Sequence, residues 1–210
     1  MTMSSFLALI VVLLLTCSYK LVSVLVQMFD KKGLRERQRD ATIYLWALLV
    51  FGIAFVYRYD TVFAWPSNIQ KIVPILLVGV FINLLYSNYS GYEPSGKKNI
   101  LHFVIVFPII EEMVFRGLIL PILNRALPPF FDFELFYLPM TLPIVLSAFL
   151  FAVAHLQYYQ LNQTSVKYML FAFSGGIVFA QITELSQSIL FALLLHIQFN
   201  FFAYYYSSKK

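Results

Sequence analysis

The chain has 210 residues, 60% of them hydrophobic and only 12% charged, with a mean hydropathy of +0.78. Soluble domains carry about 25% charged residues, so this composition, with 22 Phe and 14 Tyr, excludes an ordinary soluble domain and points to an integral membrane protein. The formal charge of +5 and pI of about 9.2 then read as basic loops facing anionic lipid; basic and aromatic residues are not interleaved as in a nucleic-acid reader, so no nucleic-acid partner is expected.

Apolar runs of span length predict an all-α helical bundle of about seven transmembrane helices (six to eight). They lie near residues 4–28, 41–58, 71–88, 99–123, 141–157, 166–183 and 187–206, in one membrane domain covering 1–210. The first run stays apolar to Phe29 and reads as a retained span rather than a cleaved signal. Its Cys17 is the chain's one cysteine. That excludes an intrachain disulfide and a multi-cysteine metal site, and Cys17 itself reads as a small buried apolar residue. Lys20 reads as a snorkelling cation at a span end. Segment 128–139, aromatic and bounded by prolines, reads as interfacial or re-entrant.

Lysines and arginines alternate between the predicted loops. Lys31, Lys32, Arg35, Arg37, Arg39, Lys97, Lys98, Lys167, Lys209 and Lys210 fall on one side, and Arg58, Lys71 and Arg125 on the other. The ten-to-three split places the first set in the cytoplasm and the N-terminus outside. The expected location is a cell membrane, crossed several times, with the bilayer itself as a partner.

Ionisable groups at membrane depth cost several kcal/mol and usually face a bundle interior or a water-filled cavity. In the fourth span, Glu112 and Arg116 are four residues apart, one turn along the same helical face, and are placed to pair. Glu111 is rotated about 100° away and is left over; a buried, unpaired carboxylate can act as a base. Pro108 loosens the same helix. In the fifth span Phe151 and His155, and in the seventh His196 and Asn200, are again one turn apart. Taken singly, each group has a structural reading: a charge cluster holding helices together, an interfacial histidine, an interhelical hydrogen-bond pair. Taken together, a carboxylate, two imidazoles and an amide from three spans suit attack of an activated water on a carbonyl. The Glu and one His would polarise the water, and the other His and Asn would stabilise the oxyanion.

These three motifs, Glu111-Glu112-x-x-x-Arg116, Phe151-x-x-x-His155 and His196-x-x-x-Asn200, resemble those of the CAAX protease and bacteriocin-processing family. This is the Abi family of intramembrane glutamic proteases, and the resemblance covers about residues 100–203. It implies a polytopic helical protein with a cytosol-facing cavity. Glu111 and His155 would activate water, His196 and Asn200 would form the oxyanion site, and Glu112, Arg116 and Phe151 would support them. No cofactor is implied. The metalloprotease pattern His-Glu-x-x-His is missing, although two Glu and two His have the donors for zinc. The substrate would be a prenylated CAAX-like peptide, a bacteriocin-type peptide or a membrane protein. Short length and basic loops resemble the bacterial members of the family. A non-catalytic immunity or scaffold protein of the same fold, and an acyltransferase using the same site, are the alternatives. A proton-coupled transporter fits less well, because the chain has no repeat halves.

Overall fold

A computed structural model of the chain describes residues 3–30, 34–57, 62–90, 94–128, 130–135, 137–158 and 160–209. Lys31, Lys32, Arg58 and Lys210 of the charge count lie outside the described residues. The chain is mostly helical. Helices α1 (Met3–Thr16) and α2 (Ser18–Phe29) are followed by α3 (Arg35–Val56) and α4 (Ile69–Tyr86). Next comes a helical run from Lys97 to Ala126, made of α5 (Lys97–Leu101), α6 (Phe107–Glu112) and α7 (Leu120–Ala126) joined by two π-helical segments. Strands β1 (Asp132–Leu135) and β2 (Leu138–Thr141) lead into α8 (Leu142–Ala154), α9 (Gln163–Ser186) and α10 (Leu190–Ser207).

The Lys97–Ala126 run is the hub, touched by α1, α3, α8, α9 and α10. Its Ile110, Val114, Phe115, Leu118 and Ile119 pack in one core with Val12 and Leu15 of α1, Ile43, Trp46 and Val50 of α3, and Phe151 of α8. Leu7, Leu13, Leu48, Phe55, Leu77 and Phe81 are exposed; on helices of this hydropathy they form the lipid-facing surface.

Among the described residues, three helices are long and apolar enough to cross a membrane singly: α3, α4 with its 3₁₀ extension to Tyr89, and α9. The bent pair α1–α2 makes a fourth if counted as one span. The expected seven are not reached by this measure, for physical reasons. The fourth predicted span is divided by π turns, the fifth is a short helix running Leu142–Gln157, and the seventh carries His196, Gln198 and Asn200 within its apolar sequence.

Three further expectations are corrected. The first run is not one straight helix but bends by 59° at Cys17. The hydroxyls of Thr16 and Ser18 bond back to Val12 O (2.8 Å) and Leu15 O (2.6 Å), a pattern that competes with the backbone ladder and bends helices. Cys17 is exposed, not buried. The architecture is also not purely helical. Within the proline-bounded region, β1 and β2 pair antiparallel, Asp132 opposite Thr141 through Leu135 opposite Leu138. Four-residue strands are shorter than the about 9–11 residues of a membrane-spanning strand, so the hairpin does not cross.

Candidate active site

Glu111 and Glu112 sit at the end of α6, between π-helical segments His102–Val106 and Met113–Ile119. Such turns recur at functional sites because each re-aims the side chains that follow. The first has a sequence cause. The Phe107 N–H bonds His102 O, five residues back. The residue five on from Phe103 is Pro108, which has no N–H to give. The Asn200 side chain reaches the Phe103 carbonyl from α10, Nδ2 donating to Phe103 O at 2.8 Å.

Glu112 and Arg116 are both fully buried and paired, Nη1 to Oε1 at 3.1 Å. Arg116 Nη2 donates to Gly176 O of α9 at 3.0 Å. Its guanidinium lies over the Phe151 ring at 4.5 Å and the Phe179 ring at 5.5 Å. A planar cation between two aromatic faces keeps electrostatic compensation where water is excluded. Gly176 permits the approach: a Cβ there would stand 3.1 Å from Ala148 Cβ and 3.3 Å from Arg116 Nη2.

His196 of α10 meets the same carboxylate, Nδ1 to Glu112 Oε1 at 2.8 Å. Its Nε2 stands 3.8 Å from Glu111 Oε2, beyond hydrogen-bond distance. Glu112 thus orients His196, while Glu111 makes no ion pair with Arg116. Tyr158 packs edge-on against the His155 ring, centroids 6.3 Å apart. His155 Nδ1 lies 2.9 Å from Phe151 O. A carbonyl only accepts, so Nδ1 carries the proton and Nε2 is the basic nitrogen of the neutral ring. Phe151 touches both His155 (4.9 Å) and His196 (5.9 Å).

The structure therefore gathers Glu111, Glu112, Arg116, Phe151, His155 and His196 through shared contacts, with Asn200 one turn from His196. It adds three residues that the motifs do not name: Tyr158, Phe179 and Gly176. Tyr158, three residues after His155, was open to inference from its one-turn spacing. The other two become visible only when α9 packs on α8. Among the described residues no three His, Cys, Asp or Glu converge in an arrangement that holds a metal ion. Beside the cluster, α2 and α3 enclose a polar cavity of about 520 Å³. It is lined by Tyr19, Ser23 and Gln27 and by Arg35, Arg39 and Thr42.

A helical membrane protein with buried acid and guanidinium groups on one central helical run, met there by an imidazole from α10, is the class these features define. The chain belongs to the type II CAAX prenyl endopeptidase Rce1-like family, whose model matches residues 98–202, half of the chain. Membership places it among the CAAX-type membrane proteases. No curated protein and no solved structure matches it.

Proposed function

We propose that the protein is an intramembrane endopeptidase that hydrolyses a peptide bond of a prenylated, CAAX-like or other membrane-associated peptide through a water activated by Glu111. The observation that carries this reading is the division of labour between adjacent acids. Glu112 is occupied by Arg116 and His196, whereas Glu111 makes no hydrogen bond to either and stands 3.8 Å from His196 Nε2. Glu111 takes a proton from water, with the basic Nε2 of His155 assisting. The water oxygen attacks the scissile carbonyl, and the C–N bond breaks as the amine is protonated. His196, its Nδ1–H donated to the Glu112 carboxylate, donates Nε2–H to the oxyanion with a proton on both ring nitrogens. Asn200, whose amide already donates once to Phe103 O, offers its second N–H. No metal or cofactor is needed for these steps. The basic loops would face the cytoplasm, as the charge alternation predicts.

The test is an internally quenched farnesylated CAAX peptide presented to the purified protein in nanodiscs. Wild type should release the C-terminal tripeptide, and Glu111→Gln, which keeps size but removes the base, should release none. Cleavage at an equal rate by both would sink the mechanism.

A scaffold reading has one specific observation in its favour: Arg116–Gly176 and Asn200–Phe103 tie α9 and α10 to the central run. It leaves Glu111 without a task, and it predicts no cleavage and unchanged cellular function in Glu111→Gln.

A further inference from the structure

In an unbroken helix the Lys20 N–H would bond Thr16 O, four residues back. Here neither group does. The Gln157 side-chain amide stands between them, Nε2 donating to Thr16 O at 2.7 Å and Oε1 accepting from the Lys20 N–H at 2.9 Å. One primary amide thus replaces one peptide hydrogen bond with both valences matched, and the bend of 59° opens at this point. Insertion of a side chain into the ladder is a recognised cause of sharp kinks. The helix ladder runs intact up to Cys17 N–H to Leu13 O and resumes with Leu21 N–H to Cys17 O, at 3.0 Å each, with the interruption between them.

Gln157 ends the short 3₁₀ turn His155–Gln157, directly before Tyr158. The bend sets the first turn of α2 against that turn. The Tyr19 ring packs on Tyr158 (4.7 Å), Trp46 (5.3 Å) and Phe107 (6.2 Å). Phe107 lies one turn before Glu111, and the Tyr158 ring packs edge-on against His155 at 6.3 Å.

We propose that Gln157 is a positioning residue: by wedging the α1–α2 helix open it seats Tyr19 on Tyr158 and so holds the Tyr158 ring against His155. This rests on the peptidase reading for its consequence, but not for its geometry. Removal of the wedge has an unusual outcome. In Gln157→Leu the freed Thr16 carbonyl and Lys20 N–H can bond each other as the interrupted ladder closes, at the cost of the Tyr19 ring contacts. The helix straightens, and Tyr19 leaves Tyr158.

The experiment pairs two readouts on the full chain in nanodiscs. The first is turnover of the quenched farnesylated CAAX peptide by wild type, Gln157→Leu, Tyr158→Leu and the double variant. Gln157→Leu should lower kcat by up to about tenfold, the scale of one lost aromatic contact, with KM within about twofold. The double variant should be no slower than Tyr158→Leu alone, since both remove the same contact. The second is the spin-label distance between Leu7→Cys and Met28→Cys, at exposed positions on α1 and α2, in a Cys17→Ser background. Gln157→Leu should lengthen it toward the about 32 Å of a straight helix over that interval.

Lengthening with unchanged kcat overturns the positioning role. A lost kcat without lengthening overturns the wedge. Additive losses in the double variant show separate structural effects and also overturn the proposal. If wild type does not turn the peptide over, the peptidase reading fails and the positioning claim with it, while the distance still decides the wedge.

Discussion

Arg116 offers the sharpest test of how the buried cluster is held. Replacement by Leu removes the 3.1 Å ion pair with Glu112, the 3.0 Å bond to Gly176 O and the cation over Phe151. Breaking a fully buried pair by deleting one partner costs about 3–5 kcal/mol, because the remaining charge is stranded. In a chain of this length about 1 kcal/mol moves Tm by about 2–4 °C, so Arg116→Leu should lower the apparent Tm by about 10 °C. Much of that cost is the buried carboxylate left with His196 as its one remaining partner in the cluster. Glu112→Gln added to Arg116→Leu should therefore recover part of the loss, with a coupling of about 1–3 kcal/mol. Arg116→Lys keeps the charge but not the fork that reaches Glu112 and Gly176 together, and should fall between wild type and Leu. The assay is tryptophan-monitored unfolding of the purified proteins in one detergent. A wild-type Tm in Arg116→Leu would refute the reasoning, and so would a double variant no more stable than the single.

The remaining predictions concern backbone contacts. Pro108→Ala supplies an N–H that can bond Phe103 O, so the thermal cost of Asn200→Ala should be smaller in that background than in wild type; equal costs would mean that Asn200 does not stand in for the N–H that proline lacks. Gly176→Val places atoms where Ala148 Cβ and Arg116 Nη2 already stand within 3.1 and 3.3 Å, and should destabilise by about 1–3 kcal/mol through overpacking. Gly52→Ala, with nothing within 4 Å of its Cβ, should melt at or slightly above the wild-type Tm as the control, because Ala is the better helix former.

What could be read from the sequence follows the range of each interaction. The Glu112–Arg116 pair was legible because four-residue spacing on one helix fixes it locally. The exclusion of Glu111 from that pair follows from the same rotation. The second partner of Glu112 was not legible: His196 is 84 positions away, and only the packing of α10 against α6 decides which carboxylate its Nδ1 meets. Asn200, expected at an oxyanion, first donates to the Phe103 carbonyl within the π turn. The turn itself leaves little trace in an apolar sequence. The bend at Cys17 was hidden for the same reason. Thr16 and Ser18 prepare it, but the group that holds it open comes from Gln157, 137 positions from Lys20. The seven spans are not reached by single-helix length and composition because hydropathy sees apolar length and cannot see π turns or the polar face that a site imposes on α10.

The most direct test of Glu111-dependent hydrolysis compares peptide termini in membranes from cells expressing wild type or Glu111→Gln at equal levels. Mass spectrometry would record every new N- and C-terminus and any newly acylated amine. Termini that appear only with wild type are the predicted result, and they would name the substrate and the cleaved bond. An acylated amine without cleavage would turn the same site into an acyltransferase. Identical profiles, with cellular function intact in both, would contradict the peptidase mechanism and leave the buried acids as struts between helices.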